Sequence, residues 1–282
     1  MRTILLAILL SFYSLGMAQE KIELYSGRIP NTKVGHANID NQPAFYKYSP
    51  AKISSDKVFL VIPGGGYARV AIDHEGHDVA KRLRDLGYTA YVLRYRLPND
   101  SEMVDKKIAP IQDAQAAMQH IRTNYKMAKI AVIGFSAGGH LASTLSTHFD
   151  TNYLVQKSAT NYDLRPDFSV LVYPVITMED GVTHSGSKTN LIGPNVSEVD
   201  VRKFSNELNV NKKTPLTYIV HAVDDKAVPI ENAYRYLSAL DKFGVAHKLY
   251  KYEKGGHGFG MFNKLEEGDW FADMITWLER YK

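Results

Sequence analysis

The stretch Ile130-Ala131-Val132-Ile133-Gly134-Phe135-Ser136-Ala137-Gly138-Gly139-His140 decides the fold. Its first four residues form an unbroken apolar run bounded by glycine, the pattern of a strand buried on both faces. Past the serine, Leu141 and Leu145 stand on one face of a helical stretch. A serine at such a strand-to-helix turn, with Gly134 two residues before it and Gly138 two after, is a nucleophile elbow. The turn is sharp and strained, and it leaves no room for side chains at the two glycines. The following helix aims its first N–H groups and positive dipole end at Ser136, which favours the negative charge that develops in acyl transfer.

Outward from this stretch, Val58 to Ile62, Thr89 to Leu93, Phe168 to Tyr173, Leu216 to Val220 and Lys248 to Tyr252 read as further strands. Between them, Val79, Leu83 and Leu86 share a helical face, as do Ile111, Ala114, Met118 and Ile121, and then Ala233, Leu237 and Leu240. Trp270, Met274 and Trp277 predict a closing helix. The alternation predicts an α/β architecture, a mostly parallel sheet with helices on both faces. The lead from Gln19 to about Pro43 reads as polar and irregular. Met178 to Lys213 is polar, rich in Gly, Ser and Asn, and too long for a routine connection. It is expected as an insertion over one edge of the sheet, either a rim or lid at the carboxyl ends of the strands or a solvated excursion.

With 282 residues, 45% hydrophobic and 23% charged, the chain has the makeup of an ordinary folded protein with one large core, which excludes a disordered one. Its net charge of +4 is spread along the chain, so no nucleic-acid partner is expected. Arg2, the apolar run Ile4 to Leu10 and Gly16-Met17-Ala18 have the three parts of a secretory signal peptide. Residues 1–18 are therefore expected to be removed, leaving a single domain over 19–282, exported to a periplasm or the medium. The apolar run is shorter than the roughly 20 residues that span a bilayer, and with no Cys the chain has neither disulfides nor a lipid-anchor cysteine, so no membrane anchor is expected.

Pro63-Gly64-Gly65-Gly66-Tyr67 follows the strand from Val58, where hydrolases of this architecture carry a glycine-rich oxyanion loop. Gly65, Gly66 and Ala137 are the candidate N–H donors of the oxyanion hole. The loop lacks the Gly-Lys-Ser/Thr of a P-loop and the spacing of a dinucleotide fingerprint; a plain turn is the remaining alternative. An acid and a histidine should follow the serine in that chain order. His221-Ala222-Val223-Asp224-Asp225 follows one strand and Gly255-Gly256-His257-Gly258-Phe259-Gly260 the next, which leaves two adjacent acids and one histidine as candidates. His74-Glu75-Gly76-His77 lacks the four-residue histidine spacing of a zinc helix and reads as the opening of the helix through Val79. No metal and no cofactor are expected.

Jointly, VIPGGGY (61–67), HEG (74–76), YRLP (95–98), GFSAGGH (134–140), YPVITM (173–178), HAVDDKAVP (221–229) and GGHGFG (255–260) resemble the α/β-hydrolase superfamily. Within it the chain is most similar to the bacterial esterases grouped with acetyl xylan esterases. The resemblance implies an acyl-enzyme mechanism with Ser136 as nucleophile, His257 as base and an Asp of HAVDDKAVP as orienting acid; the family pattern favours Asp225, four residues after His221. Pro63 departs from related lipases, which have His before the glycines. The implied substrate is a small ester or an acetylated saccharide such as xylan, with short acyl groups preferred over long ones. Oligomeric state is left open. Two rivals share the fold: a serine peptidase of the prolyl-oligopeptidase type, and a catalytically silent binding protein, against which the presence of all three catalytic positions argues.

Overall fold

The computed structural model describes residues 19–35, 41–154 and 163–281. Among the described residues eight strands form one sheet: β1 (Glu20–Glu23), β2 (Ala44–Tyr48), β3 (Lys57–Ile62), β4 (Thr89–Arg94), β5 (Lys129–Phe135), β6 (Phe168–Val172), β7 (Leu216–Ala222) and β8 (His247–Tyr252). Their spatial order is β1-β2-β4-β3-β5-β6-β7-β8. β1 and β2 pair antiparallel, β2 joins β4 antiparallel, and β4 through β8 run parallel. The chain therefore has the α/β-hydrolase fold. The expected signal segment 1–18 lies outside the described residues. Among the described residues no helix is long and apolar enough to cross a membrane.

The helices are α1 (Asp78–Asp85), α2 (Ala109–Asn124), α3 (Ser136–Thr147), α4 (Ser185–Ile192), α5 (Glu198–Phe204), α6 (Glu231–Lys242) and α7 (Trp270–Leu278). Because strand side chains alternate, β3 sends Val58, Leu60 and Ile62 into one core with Ile111, Met118, Leu141 and Leu240 from α2, α3 and α6. Phe59 and Val61 enter the opposite core, against Val79 and Leu83 of α1 and Trp270, Met274 and Trp277 of α7. Both faces of β3 to β7 are thus covered, which is why their sequences are mostly apolar, whereas the parallel edge strand β8 is only half-buried and carries two lysines.

Four expectations need correction. The polar lead is not wholly irregular, since it contributes β1 and is followed by β2 at the sheet edge. Leu86 does not share the α1 face: the helix stops at Asp85, Leu86 is 47% exposed, and Gly87 (φ 91°) reverses the chain. β6 stops at Val172, because Tyr173 takes φ 36° and leaves the sheet. The 178–213 segment is no solvated excursion; it forms α4 and α5 and buries Leu191, Ile192, Phe204 and Val210 in the first core. Asn232 ties it to α6, donating to the Val182 carbonyl and accepting from Ile176 and Thr177 N–H.

Candidate active site

Four strand ends converge at the site. At the end of β5, Ser136 has φ 51°, a left-handed conformation that β-substituted residues avoid unless the surroundings impose it. Here two backbone crossings impose it. A Cβ on Gly138 would lie 2.2 Å from the Ile62 carbonyl oxygen, and one on Gly134 would lie 2.4 Å from that of Gly138. The elbow packs so tightly against β3 and its own helix that only glycine fits on either side of the serine.

The structure brings Ser136, His257 and Asp225 into one hydrogen-bonded row. His257 Nε2 is 2.9 Å from Ser136 Oγ, and His257 Nδ1 is 2.7 Å from Asp225 Oδ2. A carboxylate accepts, so Nδ1 carries the proton and Nε2 is free to accept from the serine hydroxyl. Asp225 is buried, and its Oδ1 accepts the N–H groups of Ala227 and Val228 at 2.9 Å each. Burial would raise its pKa, but hydrogen bonds from His221 and His257, the His257 charge and the Val228 N–H together hold it well below the ordinary carboxylate value. Asp224 points elsewhere: its Oδ1 accepts the N–H groups of Gly255 and Gly256 at 2.8 and 2.7 Å. Of the two adjacent acids, one reaches the imidazole and the other holds its loop.

The glycine loop after β3 lies beside the elbow. Gly65 and Gly66 have φ 121° and 66°, and Tyr67 φ 57°, a run of positive φ that turns successive N–H groups out of the sheet. Neither the Gly65 nor the Gly66 N–H has an acceptor among the described residues, and Ala137 stands in the first turn of α3, where N–H groups lack intrahelical partners. These three N–H groups remain the candidate donors to a substrate oxygen. The Gly64 N–H is not, because it donates to Glu75 Oε2 at 2.8 Å. Tyr67 secures the loop from below by donating to His140 Nδ1 at 2.8 Å.

The polar segment supplies the facing wall. Asn190 Nδ2 donates to the Gly66 carbonyl at 2.8 Å, and a Cβ on Gly66 would meet His184 Cε1 at 3.7 Å. His184 Nδ1 accepts the Ser187 N–H, so its proton sits on Nε2. Burial, and then the nearby His257, lower its pKa, so it stays a neutral donor at neutral pH. The HEGH residues do not form one cluster: His77 Nδ1 faces the Tyr48 hydroxyl at 2.9 Å, while the half-exposed His74 has its Nε2 3.6 Å from Oε1 of the buried Glu75. Glu75 is the site residue that the sequence reading missed, having taken it for part of a helix start. Two clefts of about 610 Å³ flank the N-terminal segment, but neither is lined by Ser136, Asp225 or His257, so cavity size is no guide to this site.

Comparison with known proteins fits this geometry. The chain is 32% identical over 241 residues to an acetylxylan esterase of Xylanibacter ruminicola, covering 80% of this chain and 46% of that protein. It is 33% identical over 235 residues to endo-1,4-beta-xylanase B of Butyrivibrio fibrisolvens, covering 79% and 36%. It thus spans less than half the length of these two curated relatives. A crystal structure of an acetyl ester-xyloside bifunctional hydrolase from Caldicellulosiruptor lactoaceticus superposes with a TM-score of 0.79 at 33% identity, covering 93% of this chain and 96% of that one. The BD-FAE family model matches residues 47–240. Most of the sheet, the glycine loop, the elbow and both adjacent acids fall within that match, and the chain belongs to the BD-FAE family of α/β-hydrolases.

Proposed function

We propose that this protein is a serine esterase that removes short acyl groups, acetyl above all, from acetylated saccharides such as xylan. The observation that carries the reading is the row Ser136 Oγ, His257 imidazole, Asp225 carboxylate at 2.9 and 2.7 Å, beside N–H groups with no acceptor among the described residues. Ser136 Oγ attacks the ester carbonyl carbon while its proton passes to His257 Nε2. The carbonyl oxygen, now negative, is met by the N–H groups of Gly65, Gly66 and Ala137. The C–O bond to the sugar then breaks, and His257 returns the proton to the leaving alcohol oxygen. Water, deprotonated by the same imidazole, releases the acid from the acyl-enzyme. Asp225 holds the tautomer and stabilises the imidazolium. No step draws on a metal or cofactor.

The saccharide preference rests on the relatives named above and on the polar wall. His184 and Asn190, which border the glycine loop at Gly66, offer polar groups to sugar hydroxyls, where an extended acyl trough would call for apolar side chains. The expected result is acetate release from acetylated xylan or another acetylated glycan, and a steep fall in kcat/KM from acetyl or propionyl to octanoyl esters, because a pocket too small for the chain loses transition-state binding. Comparable octanoyl turnover, or no acetate from any glycan, would leave a general esterase as the better description. Cleavage of peptide anilides in place of esters would favour the peptidase rival. We further propose export by removal of residues 1–18, which N-terminal sequencing of the secreted protein would check.

A further inference from the structure

Glu75 is only 4% exposed and sits in a single π-helical turn, Asp73–His77, just ahead of α1. Burying a carboxylate is costly unless its oxygens are hydrogen-bonded, and each of these oxygens holds a different loop. Oε2 accepts the Gly64 N–H at 2.8 Å. Oε1 accepts the Tyr173 hydroxyl at 2.8 Å, and that hydroxyl oxygen accepts the Gly260 N–H at 3.0 Å. Burial, reinforced by the Glu75 charge, raises the Tyr173 pKa far above its ordinary value, so the phenol remains a donor. Its ring stands edge-on to His257 with centroids 4.8 Å apart, and to Phe259 at 4.7 Å. A Cβ placed on Gly64 would come within 2.8 Å of Glu75 Oε2 and 2.9 Å of Ser136 Cβ. The carboxylate and the serine therefore abut the same peptide.

We infer that Glu75 is a positioning residue: one buried carboxylate sets the oxyanion loop, through Gly64, and the His257 loop, through Tyr173 and Gly260, in register about Ser136. It touches no substrate. Gly64 is fixed at both ends, since its carbonyl accepts the Ala71 N–H at 2.9 Å, so the directions of the Gly65 and Gly66 N–H groups depend on where Glu75 holds the chain. On the other arm, Tyr173 is itself in a strained conformation, φ 36°, which its hydroxyl bonds help to maintain. A plain packing role would be filled as well by an apolar side chain of the same size. Two acceptors for donors on different loops require a carboxylate.

The inference rests on the esterase reading, and the test separates the two. Glu75→Gln has one acceptor oxygen for two donors, and Tyr173→Phe severs only the His257 arm. Each variant and the wild type are titrated with an activated organophosphonate, which counts competent sites and gives the rate of Ser136 phosphonylation. Rates with p-nitrophenyl acetate are then expressed per titrated site. Glu75→Gln should lower kcat per site and the phosphonylation rate together, by about 10- to 100-fold, with KM changed less than about twofold. Tyr173→Phe should give a smaller loss, and the double variant should lose less than the product of the two single effects, because one chain of bonds is cut twice. A merely structural Glu75 would reduce the number of titrated sites and leave the rate per site unchanged. If both variants keep the wild-type rate per site, the inference is wrong; if Glu75→Gln does not fold, Tyr173→Phe decides alone. A wild type that neither reacts with the phosphonate nor hydrolyses the ester would overturn the esterase reading, and the inference with it.

Discussion

Two histidines in this protein are bonded in the same pattern but in different surroundings. His140 lies in α3 beneath the glycine loop: its Nδ1 faces the Tyr67 hydroxyl and its Nε2 the Phe204 carbonyl, both at 2.8 Å. His257 lies at the end of the sheet between the Ser136 hydroxyl and the Asp225 carboxylate. Each imidazole thus accepts from a hydroxyl and donates to an oxygen. The difference lies in the acceptor and in burial. A neutral carbonyl offers an imidazolium little, and His140, with no exposed surface, has its pKa pushed down to about 4 by desolvation. His257 faces an ionised carboxylate and keeps 24% of its side chain exposed. His140 is accordingly a strut between α3, α5 and the glycine loop, whereas His257 is the group we propose as the base.

The two hydroxyls that face these imidazoles should behave differently when removed. Ser136→Ala is expected to lower ester turnover by about 10³-fold or more while the urea unfolding midpoint stays put. Tyr67→Phe should do the reverse, costing about 1 kcal/mol of stability and less than about tenfold in kcat. Equal effects of the two on turnover would mean that the resemblance between the rows is more than formal. Next come the acids. Asp225→Asn replaces the acceptor on His257 and should cost on the order of 10³- to 10⁴-fold in kcat. Asp224→Asn, which loosens only the Gly255–Gly256 turn, should stay within about tenfold of wild type. The opposite ranking in steady-state assays would move the orienting acid one position.

These two acids also mark where sequence reading stops. β3 to β7 were legible because strands buried on both faces are continuously apolar, and the elbow because its glycines and serine admit one turn geometry. β1 was not, since the edge strand Glu-Lys-Ile-Glu places only Ile22 partly inward and carries no period. Asp225 could be preferred over Asp224 only through the family resemblance; spacing alone does not separate neighbours that lie on opposite sides of one turn. Glu75 escaped for a different reason. Acidic residues are common at helix starts, and its partners Gly64, Tyr173 and Gly260 are 11, 98 and, through Tyr173, a further 87 residues away in the chain. The polar 178–213 segment hid its fold because much of its packing is through buried polar groups such as Asn206, which donates to the His140 carbonyl and to Ser143 and Thr144.

A further expected effect concerns stability in acid rather than turnover. Folded His140 binds a proton only below about 4, whereas an unfolded histidine does so near 6.5. Between those values the unfolded chain holds more protons, so stability is full above about 6.5 and falls as the pH drops. Its loss at pH 5 relative to pH 7 is about 2 kcal/mol, and His148, likewise pushed down by burial, adds in the same direction. Urea titrations at the two pH values would read it, and His140→Asn should flatten the dependence. Asp225 contributes nothing to this window, because its depressed pKa keeps it ionised there.

Whether Ser136 is the acylated nucleophile is read by quenching the enzyme in acid during turnover of p-nitrophenyl acetate and mapping the protein by peptide mass spectrometry. An acetyl group is expected on the hydroxyl of Ser136, absent from Ser136→Ala, whose hydrolysis rate falls to near background. An unmodified Ser136 in a turning-over enzyme, together with wild-type hydrolysis by Ser136→Ala, would contradict it.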